Sequence, residues 1–227
     1  MKLVRNLSPK CAAALEDPWE AAYARFETPE EEIEKFAKRL RKFGAARWPR
    51  DARIVELFCG RGNGLRALER FGFTQLEGAD LSPTLLAQYR GTAKCHVCDC
   101  RRLPFENQSK DLLIVQGGLH HLSVLPDDLA QTFAEMRRVL TKDGRLVLVE
   151  PWLTPFLRFV HKVCEIRLAR RISDKVDALA TMIEHEKRTY DQWLGNQKLV
   201  LATCYAHFRP VQERFAWGKW SFIGMAV

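Results

Sequence analysis

The sequence contains no apolar run of membrane-spanning length, no paired cysteine framework, no internal repeat and no low-complexity tract. A spanning helix needs about 20 mostly apolar residues, so the first absence argues against one. Seven cysteines stand at positions 11, 59, 95, 98, 100, 164 and 204. Their odd number and unpaired spacing point to a reducing, cytoplasmic setting rather than a disulfide-stapled secreted domain. Met1 to Leu15 holds basic residues but only the short run Cys11 to Leu15, and it reads as no signal peptide. No second Cys-x-x-Cys accompanies Cys95 and Cys98, and on a strand those two side chains point to opposite faces. Buried strand cysteines are the plain reading, and no metal is expected. The basic residues lack interleaved stacking aromatics and any recognised nucleic-acid motif, so nucleic-acid binding is disfavoured.

What is present is a chain of 227 residues, 47% hydrophobic, with a net charge of +8. That length and composition suit one well-buried α/β domain with additions. The positive charge is spread along the chain, which is as often solubility as function. The organising stretch is Ile54-Val55-Glu56-Leu57-Phe58-Cys59-Gly60-Arg61-Gly62-Asn63-Gly64. It reads as a buried strand, a glycine-rich turn and the start of a helix, the arrangement by which α/β sheets hold nucleoside cofactors. Gly60-x-Gly62 fits half of a dinucleotide fingerprint, but Leu65 stands where a third glycine belongs. Glu56 puts a charge inside the strand. Asp80 ends a second strand at the distance expected of an acid that accepts from ribose hydroxyls.

Periodicity and capping signals order the rest. Thr28-Pro29-Glu30-Glu31 opens a helix with a capping box, and Gly44 stops it. Strands are expected at 75–80, 93–98, 111–116 and 145–149, alternating with helices, which implies right-handed crossovers and a parallel sheet. A single helix is expected over 156–172, a second from Ser173 to about Leu194, and a further one at 198–207. Two closing strands follow at 211–217 and 220–227.

Glu56-Leu57-Phe58-Cys59-Gly60-Arg61-Gly62 resembles the first motif of class I S-adenosylmethionine (SAM) methyltransferases, especially the small-molecule group. Leu119-His120-His121-Leu122 resembles the Leu-His-His-Leu segment common there. The family has glycine where this chain has Phe58, a departure that narrows the space near the methionine part of the cofactor. The resemblance implies an α/β, doubly wound, mostly parallel seven-stranded sheet of the Rossmann-like methyltransferase type. It divides the chain into an N-terminal helical cap (1–50), a SAM-binding core (51–150), a helical insertion or lid (151–207) and a terminal antiparallel pair (208–227). It also implies SAM as cofactor, held by Glu56, Phe58, Gly60, Gly62, Asp80, Leu81, Asp99, Cys100, Gln116 and Gly117. Asp99 would meet the adenine amino group, although pairing with Arg101 or Arg102 is the simpler alternative. His120 and His121 would lie near the sulfonium as general-base candidates, against the plainer role of organising their loop.

The insertion carries the substrate question. Glu150, Trp152, His185, Glu186 and Tyr190 are pocket candidates, with His161 and Trp193 nearby, and Glu186 and Tyr190 share a helical face. The basic and apolar stretch 156–172 permits contact with an anionic membrane surface or a lipid-like substrate. A buried lid helix with snorkelling basic residues explains it equally well. The expected function is O- or C-methylation of a cyclic or lipid-like small molecule. The alternative is a methyltransferase-fold binding or scaffold protein with little turnover.

Overall fold

The computed structural model describes residues 3–5 and 18–227. Cys11 and the run Cys11 to Leu15 lie outside the described residues. The strands are β1 (Leu3–Arg5), β2 (Ile54–Leu57), β3 (Leu76–Asp80), β4 (Lys94–Val97), β5 (Lys110–Gln116), β6 (Leu140–Pro151), β7 (Phe208–Ala216) and β8 (Lys219–Ala226). They form one sheet in the order β1-β4-β3-β2-β5-β6-β8-β7. All pairs are parallel except β6 with β8 and β7 with β8. The seven expected strands all form. An eighth, β1, adds beside β4 within a segment expected to be helical, so the sheet has eight strands rather than seven.

The central strands are covered on both faces, which is why they read as near-continuous apolar runs. Val55, Leu57, Leu113, Val115, Leu146 and Leu148 face one core, with Phe133, Met136 and Trp193. Their neighbours Ile54, Leu112, Ile114, Val147 and Val149 face the other, with Phe36, Leu40, Leu65 and Leu68. The first of these cores is roofed by helices α5 (Asp127–Val139), α8 (Asp174–Gly195) and α9 (Gln197–Tyr205). The second is covered by α2 (Pro29–Lys42) and α3 (Asn63–Arg70).

Local signals decide most of these boundaries. In α2 the Thr28 hydroxyl accepts from the Glu31 N–H at 3.2 Å and the Glu31 carboxylate accepts from the Thr28 N–H at 2.8 Å. This satisfies two donors that the first turn leaves free. Ser82 caps the short α4 (Pro83–Leu86) and Ser173 caps α8. Two expectations need correction. Residues 156–172 form two helices, α6 (Pro155–Glu165) and α7 (Arg167–Ile172), because Ile166 is extended at φ −81°, ψ 109°. The strand expected at 145–149 begins already at Leu140, with an irregularity ahead of Arg145, since Lys110 pairs Leu140 while Leu112 pairs Arg145. A ninth helix, α1 (Pro18–Phe26), packs on α8. Among the described residues no helix is long and apolar enough to cross a membrane.

Candidate active site

The strand order reverses direction between β2 and β5, and ligands of doubly wound sheets bind outside the carboxyl ends at such a point. A cleft of about 1280 Å³ opens there. Its floor is the turn after β2. Gly60 and Gly62 hold φ at 50° and 76°, and a side chain on Gly62 would meet the Tyr89 ring at 2.3 Å. Phe58 also takes a left-handed φ of 55°. That costs a non-glycine residue on the order of 1 kcal/mol. Its ring is seated against Gly118, where a Cβ would lie 2.2 Å away. The ring thus packs on the loop after β5 as well as lining the cleft.

Asp80 ends β3 at the cleft wall. Its carboxylate accepts from the Gly60 N–H and the Ser82 N–H, both at 2.8 Å. Burial raises its pKa, and those backbone donors oppose the rise. A carboxylate has about four acceptor sites, so capacity remains for further donors. Leu81, Cys100, Gln116 and Gly117 line the same cleft. Asp99 lines it too, but both its oxygens accept from the Arg101 guanidinium at 2.6 to 3.1 Å. Arg101 also donates to Asp128 at 2.6 Å. The simpler alternative for Asp99 is therefore realised in this structure.

Glu56 is buried below the first turn of α3, tight against Gly64, where a Cβ would sit 1.8 Å from its Oε1. Oε1 accepts from Gln116 Nε2 at 3.3 Å. Among the described residues Glu56 Oε2 and Gln116 Oε1 have no hydrogen-bond partner, which is costly for buried acceptors. Burial pushes the Glu56 pKa up to about 8.

The second centre is the Leu119–His121 turn. Glu150, fully buried at the end of β6, accepts from the N–H groups of Gly118 and Leu119 at 2.8 and 2.9 Å. Its other oxygen meets His120 Nδ1 at 2.8 Å. On the far side, His120 Nε2 lies 3.6 Å from the Glu186 carboxylate. Burial alone would lower the His120 pKa, but hydrogen bonds to Glu150 and Glu186 lift it to about 9. His121 is 39% exposed at the rim, with Nδ1 3.6 Å from Glu186. Partial desolvation at the cleft mouth and the neighbouring His120 charge hold its pKa down. Glu186 thus supplies the third potential metal ligand that sequence spacing did not reveal, the ligand atoms of the three residues lying within 4.8 Å of one another.

His185 and Glu186 line the cleft, whereas Glu150, Trp152 and Tyr190 do not. Glu150 props the turn from behind. Trp152 packs with Phe215 and Trp220 at ring distances of 5.1 and 5.4 Å. Tyr190 sets its ring edge against His120 and its hydroxyl 3.3 Å from His161 Nε2. Trp193 is fully buried and donates to the Pro151 carbonyl at 2.9 Å.

Residues 55–148 match the family model described as "Methyltransferase domain". Residues 55–148 carry a methyltransferase domain. A demethylmenaquinone methyltransferase from Chlorobaculum parvum is 28% identical over 120 residues, covering 52% of this chain and 47% of that protein. The chain therefore matches about half the length of that relative. A crystal structure of a Pyrococcus horikoshii OT3 protein aligns with a TM-score of 0.66 at 18% identity, covering 93% and 99% of the two chains. A SAM-dependent methyltransferase from Methanosarcina mazei aligns with a TM-score of 0.53 at 18% identity, covering 82% and 97%. At these identities the two structures speak for the fold.

The methyltransferase domain's cleft is also lined by residues that no motif announced. Trp19 and Tyr23 of α1 stack at 4.9 Å, and Trp19 meets the His121 ring edge-on at 6.4 Å. Arg61 lies 5.8 Å over the Tyr23 ring. Asn63, at the start of α3, donates to Glu32 of α2 at 2.7 Å. Arg39 and Lys219 also line the cleft. The helix α2, which its capping box announces in the sequence, lines the cleft with Glu32, Lys35, Phe36 and Arg39.

Proposed function

We propose that this chain binds SAM across the tips of β2, β3 and β5 and methylates a small molecule seated under α1 and α8. The observation that carries this reading is the pair of orphaned buried acceptors, Glu56 Oε2 and Gln116 Oε1, in an open cleft. A methionine ammonium would satisfy both, and the Asp80 carboxylate would accept from the ribose hydroxyls. Leu81 and Cys100 would flank the adenine, and Asp99 would reach it only by sharing its pairing with Arg101. Bound SAM supplies a methyl group already activated on a sulfonium, so the chain's work is alignment and exclusion of water. His120, charged between two carboxylates, holds Glu186 in place rather than accepting a proton. Neutral His121 and Glu186 are the proton acceptors available at the rim, which assigns them the base role where the acceptor is an oxygen acid.

Calorimetry with S-adenosylhomocysteine tests the cofactor site. The native protein should bind it, and Asp80→Ala should weaken binding about 100-fold, from the loss of two charge-assisted hydrogen bonds. Asp80→Asn, which keeps an acceptor for one of the Gly60 and Ser82 amides, should lose less. No binding by the native protein, or native-like binding by Asp80→Ala, contradicts the reading.

A cyclic acceptor with a lipid-like part, open to O- or C-methylation, is the class we favour. The quinone-methylating relative supports the ring. The exposed apolar side chains of the α6–α7 region and the β7–β8 turn support the lipid. Phe156, Phe159, Ile166, Leu168 and Ile172 of the α6–α7 region and Trp217 in the β7–β8 turn are exposed. The Trp217 and Phe156 rings touch at 5.4 Å, and the Thr154 cap of α6 accepts from the Gly218 N–H at 3.0 Å, which joins the turn to the helix. Arg158, Lys162, Arg167 and Arg171 flank these side chains. Exposed aromatics among basic residues suit an anionic bilayer surface. Phosphatidylglycerol vesicles should sediment the native protein, and Phe159→Ser with Trp217→Ser should reduce the bound fraction about tenfold. Equal binding to phosphatidylcholine vesicles, or none to either, would refute this contact.

A further inference from the structure

Three cations that line the cleft, Arg39, Arg61 and Lys219, have no acid partner among the described residues, and Arg61 stands on the glycine turn at the cofactor end. Arg39 and Lys219 are mostly withdrawn from solvent. The Arg39 guanidinium lies 5.5 Å over the Phe36 ring. The acids whose fields reach these groups are Glu27, Glu32 and Glu150. Each is already engaged. Glu27 pairs with Lys35, Glu32 accepts from Tyr23 and Asn63, and Glu150 accepts from Gly118, Leu119 and His120. Sequestering a cation unpaired is expensive. Lys219 registers that cost, its pKa pushed down to about 7 by burial beside Arg39 and Lys35.

Position in the sheet shows which ligand these cations face. Lys219 opens β8 opposite Pro151, the last residue of β6, and so sits at the carboxyl edge where the cleft lies. From β2, which carries Glu56, the order runs β5, β6, β8. Three spacings of about 4.8 Å put β8 roughly 14 Å from β2. The adenosine would extend from β2 the opposite way, over β3 and β4. Arg39 projects from α2, whose Phe36 and Leu40 pack with Val147, Val149 and Ile223 of β6 and β8. Lys219 and Arg39 therefore flank the acceptor end of the cleft, close to the Glu150-supported histidine turn.

We infer that the methyl acceptor carries an oxyanion, a carboxylate or phosphate, seated between Lys219 and Arg39. This rests on the methyltransferase reading above and narrows its substrate class to acidic molecules. The anion would supply the missing counter-charge and fix the acceptor's distance from the sulfonium, so that the two cations act in positioning and selection.

The test uses the full chain saturated with S-adenosylhomocysteine and ligand-observed NMR titrations of benzoate, phenyl phosphate and the neutral isostere benzamide. Benzoate or phenyl phosphate should bind at least tenfold tighter than benzamide. Lys219→Met and Arg39→Leu should each erase that preference, and Lys219→Arg should keep it, which guards against a variant that merely misfolds. Equal binding of the three probes, or a preference that survives both substitutions, overturns the inference. A tenfold loss of S-adenosylhomocysteine affinity in Lys219→Met would assign the cations to the cofactor's own carboxylate and overturn it as well. Failure of the native protein to bind S-adenosylhomocysteine would instead sink the methyltransferase reading, so the two failures are distinguishable.

Discussion

Glu150→Ala should cost this protein about 3–5 kcal/mol of stability, the penalty for removing one member of a buried charged pair. For a chain of this size that corresponds to a melting temperature lower by roughly 10 °C. The carboxylate is wholly buried and carries three interactions at once, from the Gly118 and Leu119 amides and from His120. Truncation leaves two backbone donors and an imidazolium without a partner in a dry place. Glu150→Gln should be much milder, since an amide oxygen still accepts from both amides. Differential scanning calorimetry of the two variants checks this. If alanine is tolerated within about 1 kcal/mol, a range ordinary for surface changes, Glu150 is not the prop of the histidine turn.

The second large effect has opposite signs in two assays. The Glu56 pKa is raised from 4.5 to about 8, chiefly by burial. The folded protein then holds a proton that the unfolded chain has lost across that window, so stability falls as pH rises from 4.5 towards 8. Glu56→Gln removes this dependence. The variant should match the native protein near pH 5 and exceed it near pH 8 by on the order of 2 kcal/mol, or ~5 °C. Cofactor binding should move the other way. An ammonium beside the carboxylate favours its ionised form, so native affinity for S-adenosylhomocysteine should rise with pH through the same window. Glu56→Gln should bind about 30-fold more weakly at pH 8, the loss of one charge-assisted contact, with a flat pH profile. Thermal melts and calorimetry at the two pH values suffice. A variant that is less stable at pH 8, or that keeps native affinity, would refute the assignment of Glu56 to the amine.

Local grammar explains what was legible in the chain. The capping box at Thr28, the glycine turn after β2 and the acid ending β3 are each written within a few residues. Their consequences followed: the covering helix, the cleft and Asp80 in its wall. What was hidden depends on pairs far apart in sequence. Glu150 reads as a pocket candidate because it is polar and stands where the insertion would roof the site, yet its partners lie about 30 residues earlier and draw it behind the turn. Asp99 has a partner only two residues away in Arg101, and that local pairing competes with any ligand. Lys219 opens a strand whose significance comes from helix α2, and no spacing rule links it to Arg39. The break at Ile166 has no proline or glycine to announce it, and β1 is three residues long, with pairing that only the folded sheet creates.

The nested fit of Phe58 against Gly118 ties two otherwise independent loops into one evolutionary unit. Any enlargement at position 118 collides with the aromatic ring, and trimming the ring to glycine opens a hollow above the adjoining loop. Neither position can drift alone without penalty. Homologous chains should therefore trade the two together, a bulky partner at one always matched by the smallest residue at the other. A transplant of either loop into a sister enzyme should succeed only when its counterpart travels with it.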